Sequence, residues 1–169
     1  MTIRPSDRHG WTRLDTYLKV HHSYLDDLLA FGEVVESRLT YEKDRADRYV
    51  IAGRLVCRHG LFLDIEKKLR INSLGQARTS RYDYHAGMLG PRDRPIFRYD
   101  NAHVYTREGH PDPHHRHRFD HVTWEEIEPP EWVGYDRWPH LDEVVRELTA
   151  WWGTTGRNLD LDLSLVPPG

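Results

Sequence analysis

Six of the twelve histidines fall within nineteen residues: His103, His110, His114, His115, His117 and His121. Imidazole exchanges protons near neutral pH without special tuning and is also the commonest metal ligand, so this tract is the first place to look for chemistry. Its densest part reads Pro113-His114-His115-Arg116-His117, followed by Asp120. Three readings fit. The tract is a solvated loop, a source of general acid–base groups, or a divalent-metal site at His114, His117 and His121. The metal reading needs a helix to bring residues three or four apart to one face, and Pro111 and Pro113 oppose a helix at its start. A single cysteine, Cys57, leaves no thiolate set for zinc, and the histidine spacing matches no established ligand pattern. No cofactor is therefore expected.

A second cluster, Phe97-Arg98-Tyr99-Asp100-Asn101, lies just before the tract. Strand ends leading into loops are common places for sites, because the strand fixes what the loop presents. Arg, Tyr, Asp and Asn in succession place two polar side chains on each face of the strand terminus. The structural alternative has Arg98 paired with an acid on a neighbouring strand and Asp100-Asn101 ending the sheet in side-chain turns. No glycine-rich phosphate loop, nucleophile elbow, HExxH or helix-turn-helix signature is present.

The elements that must position these residues follow from periodicity. Leu14, Tyr17, Leu18, Leu25, Leu28 and Leu29 recur at three- and four-residue steps, which predicts an amphipathic helix over 12–31 with Thr12 as cap and Gly32 as stop. The period then becomes two. Val35, Leu39 and Tyr41, then Tyr49, Ile51, Leu55 and Cys57, then Leu61, Leu63, Ile65, Leu69 and Ile71 alternate with charged residues, each run a strand with one buried face. Two further strands follow, one with Tyr82, Tyr84 and Ala86 on a common face and one from Arg94 to Asn101. Short connections such as His59-Gly60 and Asn72-Ser73-Leu74-Gly75 force antiparallel neighbours. Leu141, Val144, Val145, Leu148, Trp151 and Trp152 mark a second helix over 141–152. The expected fold is α+β: a five-stranded antiparallel β-meander over 33–101, covered by the N-terminal and C-terminal helices. Residues 102–140 form a long, irregular His-rich loop and 153–169 a fraying tail, all within a single domain.

Composition sets the outer limits. The chain of 169 residues carries 24 basic and 27 acidic side chains, and its 30% charged fraction describes a wet surface. Six Trp, nine Tyr and four Phe supply large residues worth burying, which argues against disorder throughout. No apolar run approaches the ~20 residues of a membrane span and no charged-then-apolar leader opens the chain, so the expected location is the cytoplasm. The charge is split: residues 1–100 hold 18 basic and 14 acidic side chains, residues 101–169 hold 6 and 13. Between Arg45 and Arg98 there are 12 basic and 5 acidic residues, either an ordinary wet face or one able to track a phosphate backbone.

At Ile96-Phe97-Arg98-Tyr99-Asp100-Asn101-Ala102, followed within a dozen residues by Pro113-His114-His115-Arg116-His117, the chain resembles the TumE-like toxin family of prokaryotic toxin–antitoxin modules. The family pattern is a β-meander ending in an F-R-Y-D-N-A-type run, then a histidine, here His103, then P-H-H-x-H. The resemblance covers roughly residues 33–152. The spacer 104–110 departs from it, holding charged residues and a Gly in place of a Pro-rich link. The resemblance implies a cytoplasmic toxin whose partner is a cognate antitoxin protein. Joined to the residues above, it leads to an expectation of action on RNA as a metal-independent endoribonuclease. His114, His115 and His117 would supply base and acid in an unassigned order, with Arg98 as the phosphate clamp, Asp100 orienting a histidine and Tyr99 stacking on a base. The alternative is a non-enzymatic protein that binds a metal or a partner through the His-rich loop. The oligomeric state is not fixed by the sequence.

Overall fold

The computed structural model describes residues 8–103 and 110–159. The expected meander is present as β2 (Val34–Arg45), β3 (Arg48–Cys57), β4 (Leu61–Ile71), β5 (Gln76–Met88) and β6 (Arg94–Asp100), each antiparallel to the next. Helix α1 (Leu14–Ala30) stops where expected. Gly32 adopts φ +70°, and the Gly32 and Glu33 N–H groups donate to the Leu29 and Leu28 carbonyls at 3.1 and 3.0 Å, closing the last turn. Thr12 is not its cap. Thr12–Arg13 form a short strand, β1, against Ala77 and Gln76 of β5, and the residue before the helix, Arg13, makes no side-chain cap.

The expectation for 102–140 needs the largest correction. This segment is not one irregular loop, because it supplies β7 (His115–Phe119) and β8 (Glu126–Trp132), which extend the sheet beyond β6 and bring it to eight strands. The reason is visible in β7, where His115, His117 and Phe119 face one way and Arg116 and Arg118 the other. Imidazole and guanidinium alternate in place of apolar and polar groups, so a search for hydrophobic periodicity passes over the strand. Asp120 turns the chain between β7 and β8, its Oδ1 accepting from the Val122 and Thr123 N–H groups at 2.8 Å. Pro129 and Pro130 are tolerated in β8 because it is an edge strand.

Both helices lie on one face of the sheet. Leu25 and Leu28 of α1 share a core with Val144, Val145 and Leu148 of α2 (Leu141–Thr154) and with Leu55, Leu63, Ile65, Tyr84 and Phe97 of the sheet. Leu14, Tyr17 and Leu18 cover a second group of Ile51, Leu69 and Ala77. Odd-numbered Ile51, Leu55, Leu63, Ile65 and Leu69 are buried as the alternation predicts. Val35 is the exception in the first strand: a register shift after Val34 turns Val35 outward at 54% exposure and leaves Val34 inside at 2%. A buried cation enters the covered face from β4. Lys67 places its Nζ 5.0 Å from the Tyr17 ring centroid and 5.9 Å from that of Trp138, where the aromatic faces offset part of its desolvation.

Among the described residues no helix covers the opposite face, and its side chains fall in rows set by the strand register. One row runs Arg54, Asp64, His85, Arg98, His117 from β3 to β7, and the next runs Ala52, Glu66, Asp83, Asp100, His115. Beyond Thr154 the chain makes a 3₁₀ turn at Gly156–Asn158; the remainder of the expected tail lies outside the described residues. No helix among the described residues is long and apolar enough to cross a membrane.

Candidate active site

The two sequence clusters meet where β6 pairs with β7. Alternation along β6 sends Phe97 and Tyr99 towards the helices and Arg98 and Asp100 to the open face, while β7 sets His117 opposite Arg98 and His115 opposite Asp100. The strand end is pinned by Asn101, whose Oδ1 accepts from the Tyr82 N–H at 2.9 Å and whose Nδ2 donates to the Ser80 carbonyl at 3.1 Å.

Asp100 is the hub. Its Oδ2 lies 2.9 Å from Arg98 Nε and 3.0 Å from His117 Nε2, and its Oδ1 accepts from the Ala102 N–H at 3.1 Å. Burial opposes its ionisation, but the hydrogen bonds from His117 and Ala102 and the Arg98 charge outweigh that and hold the carboxyl down at about 2. The other nitrogen of His117, Nδ1, faces Glu126 of β8. His117 is thus held between two carboxylates. Burial works against its positive charge, yet the bonds to Asp100 and Glu126 prevail and raise its pKa above the ordinary histidine value. Arg98 Nη2 stands 3.2 Å from His117 Nε2, and 26% of the Arg98 side chain is open to solvent.

His115 has the opposite balance. A carbonyl only accepts, so the 2.8 Å contact between His115 Nδ1 and the Pro113 carbonyl places the proton on Nδ1. Nε2 is then the basic nitrogen, 2.8 Å from Nδ1 of His110. Burial first, and then the neighbouring His110, lower its pKa despite the Pro113 bond. Two imidazoles two residues apart on one face therefore have proton affinities displaced in opposite directions.

Four of the six residues singled out in the sequence, Arg98, Asp100, His115 and His117, come together. Tyr99 and His114 do not join them, because strand alternation points both to the helix-covered side. Tyr99 donates its hydroxyl to Glu147 of α2 at 2.7 Å and does not offer its ring to a ligand on the open face. His114 lies near the Tyr82 and Trp138 rings, its Nδ1 3.0 Å from the Tyr82 hydroxyl, and burial lowers its pKa. The metal trio of His114, His117 and His121 is likewise dispersed: His121 accepts from Trp151 Nε1 at 3.2 Å, on the far side of the sheet from His117. Among the described residues no three His, Cys, Asp or Glu side chains converge as a metal-ligand group. Sequence reasoning missed Glu126 and the pairing of His110 with His115. Glu126 stands in a strand without apolar alternation, and only the register of β7 on β8 brings it to His117.

The charge on His117 has a measurable consequence. Its folded pKa is raised, so its contribution to stability is complete below the unfolded value of about 6.5 and is lost as pH rises through the folded one. Asp100 is ionised throughout that range. The melting-temperature advantage of the wild type over Asp100→Asn is thus expected to be largest near pH ~5–6 and to shrink towards pH ~8–9. An advantage constant across that range would show that the contact is not an ion pair.

No curated protein and no solved structure matches the chain. The family described as Toxin TumE matches residues 24–151, from within α1 through the whole meander and the His115–Glu126 arrangement into α2. The chain belongs to the TumE toxin family, and is the toxin of a toxin–antitoxin module whose partner is an antitoxin.

Proposed function

We propose that this toxin acts on RNA as a metal-independent endoribonuclease, with His115 as general base, His117 as general acid and Arg98 as the phosphate clamp. The observation that carries the reading is the pair of same-face imidazoles driven apart in proton affinity, with a partly exposed guanidinium beside them. His115 Nε2 takes the proton of a ribose 2′-hydroxyl as that oxygen attacks the adjacent phosphorus. Arg98 pairs with the non-bridging oxygens, where charge builds in the phosphorane. As the bond to the 5′-oxygen breaks, His117 gives that oxygen its proton, leaving a 2′,3′-cyclic phosphate and a 5′-hydroxyl end. Asp100 and Glu126 keep His117 protonated and oriented between turnovers. A phosphate that draws the Arg98 guanidinium outward removes one of the two side chains at His117 Nε2 and leaves Asp100 on it.

The test is incubation of the purified protein with end-labelled single-stranded RNA in excess chelator. Fragments ending in 2′,3′-cyclic phosphate are expected. Intact RNA would overturn the reading, and cleavage only after a divalent metal is restored would overturn its metal-independent form. Stoichiometric bound metal without cleavage would return the protein to the binding class.

A further inference from the structure

Two more rows of side chains cross the open face on the side of the acidic row away from Arg98 and His117. Arg48, Arg70 and Arg78 stand directly opposite one another on β3, β4 and β5, and Lys68 stands opposite Arg81 in the next row. Like charges facing each other across strands destabilise a sheet, so such rows call for a counter-charge. Arg48 has Asp44, and Lys68 has Glu66 at 2.9 Å. Arg70, Arg78 and Arg81 have no carboxylate at ion-pair distance among the described residues. The Arg78 guanidinium instead lies 4.8 Å from the ring centroid of Trp11, an indole 38% exposed at the end of the row. The molecule as a whole is acidic, so this is a local concentration of charge and not a reflection of composition.

We infer that Lys68, Arg70, Arg78 and Arg81, with Trp11, form a track for the backbone of single-stranded RNA leading to the His115–His117 pair. The inference rests on the proposed RNA reading and assigns that substrate its path. Arg70, Arg78 and Arg81, which lack a carboxylate partner among the described residues, can bind phosphates by releasing counterions, and Lys68 adds its charge beside them although paired with Glu66. An exposed indole gives an unpaired base a face to stack on, which a duplex cannot use. Counting along β4, the Lys68 and Arg70 rows lie four and six residues from the row of Arg98, or roughly 13 and 20 Å at ~3.3 Å per residue. The intervening carboxylates of Glu66, Asp83 and Asp100 repel phosphate, so the track holds the strand a few nucleotides away from the bond that is cut and leaves Arg98 to take the reacting phosphate alone.

Fluorescence anisotropy with a labelled 2′-O-methyl RNA, which lacks the attacking hydroxyl, tests the track without any dependence on cleavage. Wild-type binding is expected to weaken with salt, and Arg70→Ser with Arg78→Ser to flatten the log–log salt slope by about 1.4, at ~0.7 per lost phosphate contact on a single strand. Trp11→Ala is expected to weaken single-strand binding about tenfold and duplex binding hardly at all. A slope unchanged in the double variant, no binding by wild type at low salt, or equal affinity for duplex would each overturn the track. Thermal melting confirms that the variants are folded, and Lys at both positions, which keeps the charge, is expected to restore the slope. Cleavage of unmodified RNA with an unchanged slope defeats the track alone. An altered slope without cleavage of unmodified RNA supports the track and defeats the catalytic reading.

Discussion

His117→Gln is expected to abolish growth inhibition when the toxin is expressed without its antitoxin, and to slow RNA cleavage by about 10²–10⁴-fold. Glutamine keeps a side-chain donor near Asp100 and so limits the unpairing of a buried carboxylate, but it cannot deliver a proton to a leaving oxygen. His115→Gln is expected to lose as much, since it removes the basic nitrogen assigned to take the 2′-hydroxyl proton. The two variants fail for different reasons, and a pH profile separates them. Cleavage requires His115 neutral and His117 charged, so kcat/KM should rise and then fall with pH, the limbs belonging to the coupled pair. Because Glu126 is one of the groups that raise the His117 pKa, Glu126→Gln should move the alkaline limb to lower pH and leave the acid limb in place. If His117→Gln stays as toxic as the parent, His117 is not the acid. If Glu126→Gln moves the acid limb instead, the two roles are reversed.

How far this site was legible depends on what kind of pattern each strand carries. From β2 to β6 the alternation is apolar against charged, because one face meets two helices and the other meets water, and both the strand order and the inward set follow from it. Arg98 and Asp100 were found for the same reason, as polar members of a strand whose apolar members are plain. The alternation fails as a signal in β7. There the covered face is occupied by Arg116, whose Nε reaches Glu147 of α2 at 3.0 Å and whose guanidinium lies 5.2 Å from the Phe97 ring centroid, while the open face is occupied by imidazoles. A cation matched to a carboxylate and an aromatic ring takes the place of a hydrophobe, and nothing in a hydropathy pattern distinguishes that from a wet loop. Without a strand over 115–119 the histidines have no faces to be sorted by. His114 then goes with its neighbours in the run, whereas Tyr99 belongs to β6, whose alternation already sets it with Phe97 on the covered face, and Glu126 reaches the site only through the pairing of β7 with β8.

The same sorting makes His114 the sharpest contrast with its neighbours. His114→Ala is expected to destabilise the protein by about 2–4 kcal/mol while leaving the cleavage rate per folded molecule unchanged. The ring is 6% exposed, has the Tyr82 and Trp138 rings at centroid distances of 5.6 and 5.8 Å, and meets the edge of Tyr135. Truncation leaves a void among aromatic rings and strips the hydroxyl of fully buried Tyr82 of its partner at 3.0 Å, and an unsatisfied buried hydroxyl alone costs about 1–3 kcal/mol. None of that loss reaches the open face, since the sheet backbone separates His114 from Arg98, Asp100 and His117. Calorimetry or chemical denaturation gives the stability term, and cleavage assayed well below the lowered melting temperature gives the other. A variant that melts like the parent and yet fails to cut RNA would place His114 with the catalytic histidines and reverse the assignment of faces along β7. A variant that melts early and still cuts shows that adjacent histidines in one run of sequence serve the fold and the chemistry separately, divided by the pleat of a single strand.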